Sequence, residues 1–189
     1  DIHEKLGDLQ GKSATLHAMA YVLVTRGDLD GAMGLYRQSL DLDEKLGDLK
    51  GKAATLRHMG NVFQIQVKTD KATDLYRQSL DINERLGRLE GIALTLVEMA
   101  KIDIINQAYE KSLQSLMKSH QIFNKMGAIP DTHKVRKHVC DLKQQLGPAA
   151  STGLIRALPS GVWNLKSSNR RRVPLPSAFT GQWVGARDS

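Results

Sequence analysis

Shifted by 40 residues, this 189-residue sequence overlays on itself without a gap. Leu6-Gly7-Asp8-Leu9 returns as Leu46-Gly47-Asp48-Leu49, then as Leu86-Gly87-Arg88-Leu89, and faintly as Met126-Gly127-Ala128-Ile129. Tyr36-Arg37-Gln38-Ser39-Leu40 returns intact as Tyr76-Arg77-Gln78-Ser79-Leu80. In all, 22 of the first 40 residues match the second 40, and the match weakens toward the C-terminus. A chain written this way folds as an array of like units, each leaning on its neighbours, with an atypical unit capping the end.

Each unit reads as two helices. Ala53, Leu56, Met59, Gly60 and Phe63 fall at spacings of three, four and seven, which makes an apolar stripe of helical period. Ala72, Leu75, Tyr76, Leu80 and Leu86 make a second stripe. Gly47 and Gly87 follow the last apolar residue, where a left-handed glycine ends a helix. Asp48 is placed to cap the next helix, and Asp70 to open the second helix of its block. The pattern predicts helices over 1–6, 9–26, 29–46, 49–66, 70–86, 89–106, 109–126 and 131–146. A partial unit (1–8) is followed by repeats 9–48, 49–88 and 89–128 and a capping helix, 131–147. One stripe per helix cannot be hidden within a single pair, so the pairs must stack. The columns Ala20/Gly60/Ala100/Cys140, Ala32/Ala72/Ser112 and Met19/Met59/Met99 are expected to be packing positions, with Cys140 buried and inert.

Composition narrows the function. No stretch of about 18 apolar residues is present to span a membrane, and the N-terminal Asp1-Ile2-His3-Glu4-Lys5 has no signal-peptide character. A single cysteine precludes an internal disulfide and fits a cytoplasmic setting. Residues 1–147 hold 21 Lys and Arg against 19 Asp and Glu, whereas residues 148–189 hold 6 against 1, so the excess positive charge belongs to the tail. Gly47-Asp48-Leu49-Lys50-Gly51-Lys52 lacks both the spacer and the Ser or Thr of a phosphate loop. His133 and His138 are five apart, with no third ligand suitably spaced for a metal. His138 and Cys140 point in different directions on a helix. The sequence therefore predicts no catalytic residue, metal site or cofactor.

The spacing Leu56…Met59-Gly60…Phe63…Ala72…Tyr76…Ser79 resembles the tetratricopeptide repeat. The first block matches it as Leu16, Met19-Ala20, Leu23, Ala32, Tyr36 and Ser39. The 40-residue period with Leu-Gly-Asp at the turn is similar to kinesin light chains, to the Leu-Gly-Asn-repeat adaptors and to bacterial multi-repeat proteins. The third block departs at Asp103, where an aromatic is expected, and looser packing is predicted there. The resemblance implies an all-α fold, a right-handed α-solenoid of antiparallel helix pairs. Its first helices would line a concave groove for a peptide or protein partner. The residues that would face this groove are His17, Tyr21 and Val24, then Arg57, Asn61 and Gln64, then Val97, Lys101 and Ile104. In members that clamp a C-terminal carboxylate, a basic residue and an Asn stand where Arg57 and Asn61 stand here, and Glu98 replaces the second Asn. A basic groove of this kind predicts an acidic partner.

The chain opens inside a repeat, which reads as a fragment of a longer array whose bare apolar ends invite self-stacking. The alternative reading is a regulatory or structural repeat arm of a larger multidomain ATPase, protease or transcription regulator. After Gly147-Pro148 the helical period is expected to stop, leaving an irregular, disordered basic tail over 148–189. Trp163, Phe179 and Trp183 offer groups that would dock back on the solenoid, and a segment foreign to the repeat gene is a further alternative. Arg170, Arg171 and Arg172 without a fold around them are weak support for nucleic-acid binding.

Overall fold

Helices of 17 or 18 residues, joined by turns of two or three residues, succeed one another along the chain. The computed structural model describes residues 7–156, with side-chain surroundings for residues 7–142. The expected helix over 1–6 lies outside that range, as do residues 157–189. The helices are α1 (Leu9–Thr25), α2 (Leu29–Leu46), α3 (Leu49–Ile65), α4 (Thr69–Arg85), α5 (Leu89–Ile105), α6 (Tyr109–Lys125) and α7 (Ile129–Arg156). No strand occurs among the described residues. Each first helix packs most closely on its own second helix: α1 on α2, α3 on α4, α5 on α6. Each second helix then packs on the next first helix, and the first helices of adjacent repeats also touch. The result is an α-solenoid with no single closed centre.

The turns explain the regularity. Backbone φ is positive at Gly7, Gly27, Gly47, Val67, Gly87, Gln107 and Gly127, one pivot every 20 residues. After each pivot from Gly27 onward a backbone N–H reaches back to a carbonyl five residues earlier: Asp48 to Asp43 at 2.8 Å, Lys68 to Phe63 at 2.9 Å, Arg88 to Asn83 at 2.9 Å. This bond closes the end of each helix. Asp8, Asp28 and Asp48 then cap the following helices, accepting N–H groups from Gly11, Gly31 and Gly51. Asp70 does not open α4; the helix begins at Thr69 and Asp70 sits in its first turn.

Glycine suits most of these pivots, but Val67 holds φ of 60° with its side chain 74% exposed. A β-branched residue in this conformation is strained by about 1–2 kcal/mol. Val67→Gly is expected to raise stability by about 1 kcal/mol, the strain relieved outweighing the added freedom of the unfolded chain. An unchanged or lower urea midpoint would show that the turn carries no such strain.

Within each pair, one serine register does specific work. Ser39 donates to the Ser13 carbonyl at 3.1 Å, Ser79 to Ala53 at 2.8 Å and Ser119 to Ala93 at 2.9 Å. A larger residue would hold the two helices apart, and a non-polar one would leave the bond unmade. Above this clamp sit the fully buried rings of Tyr36 and Tyr76. Their depth depends on the residue opposite. A Cβ at Gly60 would lie 2.5 Å from Tyr76 Cε1, so glycine lets that ring press directly on α3.

Four expectations need correction. Met59 is buried at 7% exposure, but Met19 is 53% exposed, because no described repeat precedes α1 to cover it. Leu86 is likewise exposed rather than part of the packed stripe. Cys140 is exposed: its column faces the second helix of its own pair, and among the described residues α7 has none. Finally, α7 starts at Ile129 and runs through Gly147-Pro148 to Arg156. Ala149 and Ala150, with no further Gly or Pro before Gly153, let the helix resume after the proline. Asp103, in register with Phe63, is buried and pairs with Lys111 at 3.0 Å. One repeat earlier, Lys71 lies 5.7 Å above the Phe63 ring. The same lysine register serves a ring in one repeat and a carboxylate in the next, so the site is polar rather than loose.

Candidate functional site

Helices α1, α3 and α5 place their non-packing residues on one continuous face. Tyr21 is exposed, while His17, Val24, Arg57, Asn61, Gln64, Lys101 and Ile104 are half-buried. Val97, expected as a groove contact, is 9% exposed and belongs to the core of the third repeat. The face is ordered from beneath. The Tyr76 hydroxyl lies 2.8 Å from Asn61 Oδ1 and 2.8 Å from Gln64 Oε1. It donates to one of these amides at a time. Burial raises the pKa of this hydroxyl, with Glu98 adding to the effect, so it stays protonated as a donor. Lys101 forms an ion pair with Glu98 at 2.9 Å. The residue standing in place of the clamp's second Asn therefore neutralises a groove cation.

Around Arg57 the repeats assemble an aromatic cluster. His17 meets His58 edge-on at 4.8 Å and Tyr36 at 5.2 Å, and Tyr36 stacks on His58 at 6.0 Å. Tyr21 approaches His58 from the exposed side at 6.1 Å. Arg57 Nη2 lies 3.0 Å from His58 Nε2 and donates to that nitrogen. Burial, then Arg57 and His17, pull the His58 pKa down to about 3. Burial likewise lowers His17 and raises the Tyr36 hydroxyl to about 12. Both imidazoles are thus held neutral. Burial also lowers the Arg57 pKa, opposed chiefly by Glu98. Arg57 forms no ion pair among the described residues, and its charge is favoured only at longer range by Glu98 and Glu90.

A buried polar network lies beside this cluster. Asp43 is 3% exposed, accepting from Ser13 at 2.5 Å and from Thr55 at 3.2 Å. His17 Nδ1 lies 3.1 Å from Thr55 Oγ1. Burial raises the Asp43 pKa, and the two hydroxyls act against that rise. Among the described residues no group of three His, Cys, Asp or Glu side chains could hold a metal ion, and no helix is long and apolar enough to cross a membrane.

The family model of the tetratricopeptide repeat matches residues 2–85. The helix pairs, caps and stacking described above continue that pattern through α6. Over residues 2–85 the chain is similar to the tetratricopeptide-repeat family. Repeats of this family generally mediate protein–protein interaction and generally serve as non-enzymatic scaffolds. Among solved structures, the chain is similar to BtubC (BKLC) from P. vanneervenii, with a TM-score of 0.51 at 12% identity. The similarity covers 74% of this chain and 66% of that one, just under two thirds of its length. At that identity the likeness concerns the fold alone. No curated protein matches the sequence.

His58, Tyr36 and Asp43 escape a reading of the sequence by groove positions. A signal for each is present. His17 and His58 are 41 apart, one repeat and one residue, which sets them side by side on adjacent first helices. Asp43, Asn83 and Phe123 share a register, and a phenylalanine there marks a buried position.

Proposed function

We propose that the face built by α1, α3 and α5 binds an extended segment of a protein partner, making the chain a non-catalytic interaction scaffold. The observation that carries this reading is the arrangement beneath the face. The Tyr76 hydroxyl tethers Asn61 and Gln64, and the ring cluster fixes Arg57 and Tyr21, so the contacts are ordered before a partner arrives. Ordering in advance lowers the entropic cost of association. Asn and Gln side chains suit a peptide backbone, since each offers a donor and an acceptor. Tyr21 provides an exposed aromatic anchor of the kind that dominates binding energy. Arg57 supplies the charge for an acidic group on the partner, because Lys101 is already matched by Glu98. The cytoplasm, with its reducing conditions, is the setting consistent with the lone exposed Cys140.

The test is selection of peptides from a phage-displayed library on the immobilised chain, followed by calorimetry with the synthetic winners. Tyr21→Ala is expected to weaken them by about tenfold or more, roughly 1.4 kcal/mol. Tyr21 is exposed, so this variant keeps the fold. Affinity left at the parent value by both Tyr21→Ala and Arg57→Ala would move the binding surface elsewhere.

A further inference from the structure

Two cavities of the solenoid are the same cavity, one repeat apart. The first, about 270 Å³, is lined by Ala14, His17, Asp43, Asp48, Gly51 and Ala54, among others. The second, about 160 Å³, is lined by Ala54, Arg57, Asn83, Arg88, Gly91 and Leu94, with Glu90. A shift of 40 residues carries each of the first six onto the second six. Ala54 belongs to both, so the cavities adjoin across α3. Their charges are opposite. Asp43 and Asp48 line the first with no Lys or Arg beside them, while Arg57 and Arg88 line the second against the single Glu90.

The departures from the repeat are costly to the fold. Asp43 is a buried carboxylate without a cation among the described residues, where the next repeat has a neutral Asn83 and the one after a Phe123. An unpaired buried charge is destabilising. At position 88 the helix-capping aspartate of the earlier turns gives way to arginine, and α5 begins without a side-chain cap bond. Losing such a cap costs about 1 kcal/mol. Arg88 instead reaches toward Asn83 Oδ1 at 3.5 Å, beside Arg57. Where local rules for stability are broken at matched positions facing open cavities, a binding role is the physical explanation.

We infer that the two cavities form a charge-reading pair, the first taking a cationic side chain of the bound segment and the second a carboxylate. This rests on the groove reading above and deepens it, assigning the partner a basic and an acidic residue rather than acidity alone. Adjacent first helices touch, so their axes lie about 10 Å apart. An extended chain covers that distance in about three residues. The partner segment therefore carries Lys or Arg and Asp or Glu about three positions apart. A guanidinium or ammonium in the first cavity would supply the cation Asp43 lacks, and a carboxylate in the second would bond the Arg57 and Arg88 forks.

The probes are three capped peptides, acetyl-Ala-Lys-Ala-Ala-Glu-Ala-amide, its Glu-first counterpart and the version with Gln at both charged positions. They are titrated into the full 15N-labelled chain at low salt. One charge order is expected to bind at least about tenfold tighter than the Gln peptide, shifting the amides of Gly51, Ala54 and Gly91. Asp43→Asn and Arg57→His should each cut the margin of the favoured peptide over the Gln peptide to about threefold, and the double variant should abolish it. Both replacements copy residues the fold already holds one repeat away, Asn83 and His17. Equal binding of all three peptides at the groove amides overturns the charge-reading pair and leaves the groove standing. Shifts confined to residues outside α1, α3 and α5, or no shift with any peptide, overturn both.

Discussion

Tyr76→Ala is expected to cost about 4 kcal/mol. The ring is fully buried, and Gly60 lets it press against α3 with no Cβ between. Removing it opens a cavity that neither α3 nor α4 can close, since the Ser79 bond to the Ala53 carbonyl already sets their spacing. Asn61 and Gln64 lose their shared partner at the same stroke. Tyr76→Phe keeps the ring and drops only the hydroxyl, so it should cost about 1 kcal/mol. Urea titration followed by far-UV circular dichroism reads both. Because stability in a stacked array is local and passed between neighbours, the alanine variant should also broaden or split the transition. A loss below about 1 kcal/mol for Tyr76→Ala would mean that the ring does not lie on Gly60 as described.

The second large effect is an acid sensitivity seated in His58. Its folded-state pKa of about 3 lies well below the ordinary 6.5. The unfolded chain therefore takes up the proton first. Stability is full above pH 6.5 and drains away as pH falls from there toward 3. Near pH 5 the loss through this one group is about 2 kcal/mol. His17, also lowered by burial, adds in the same direction. Asp43 acts oppositely: its raised value makes the folded state the better proton acceptor, so its share of the stability grows as pH falls toward 3.8. Measuring the urea midpoint at neutral pH and near pH 5, for the parent and for His58→Gln, separates these contributions. The variant should lose most of the dependence. A parent midpoint that does not move would place His58 in contact with water.

The architecture was legible in the sequence because it depends on local, repeated signals. Gly47 and Asp48 announce a turn and a cap by themselves, and one helix pair predicts the next. What stayed hidden depends on neighbours that a single helix does not contain. Met19 and Met59 have the same local sequence context and opposite exposure, the difference lying in what stacks on them. Cys140 sits in a packing column whose facing helix is not among the described residues. The pivots at Val67 and Gln107 carry no glycine to mark them; the flanking helices impose their conformation. Pro148 misled for a related reason, since its cost was visible while the helical preference of the residues after it was not weighed. At the candidate site, spacing alone kept Arg57, Asn61 and Gln64 off the packing stripe, and the resemblance supplied the expectation of a groove. That Asn61 and Gln64 are tethered from beneath requires knowing that Tyr76 crosses under α3, which follows from the missing side chain at Gly60. The opposition between the two cavities is written in the sequence as Asp43/Asn83 and Asp48/Arg88, but it has meaning only once those residues are seen to line equivalent spaces.

The fixed interval between pivots bears on how such a gene changes. With a pivot at every twentieth residue, a tandem copy of one hundred and twenty nucleotides inserts a whole rung in phase, whatever codon it starts from. Unequal crossing-over between near-identical blocks can thus lengthen or shorten the protein without breaking it. Each new rung would arrive with the same lining positions, free to drift in charge independently of the rest.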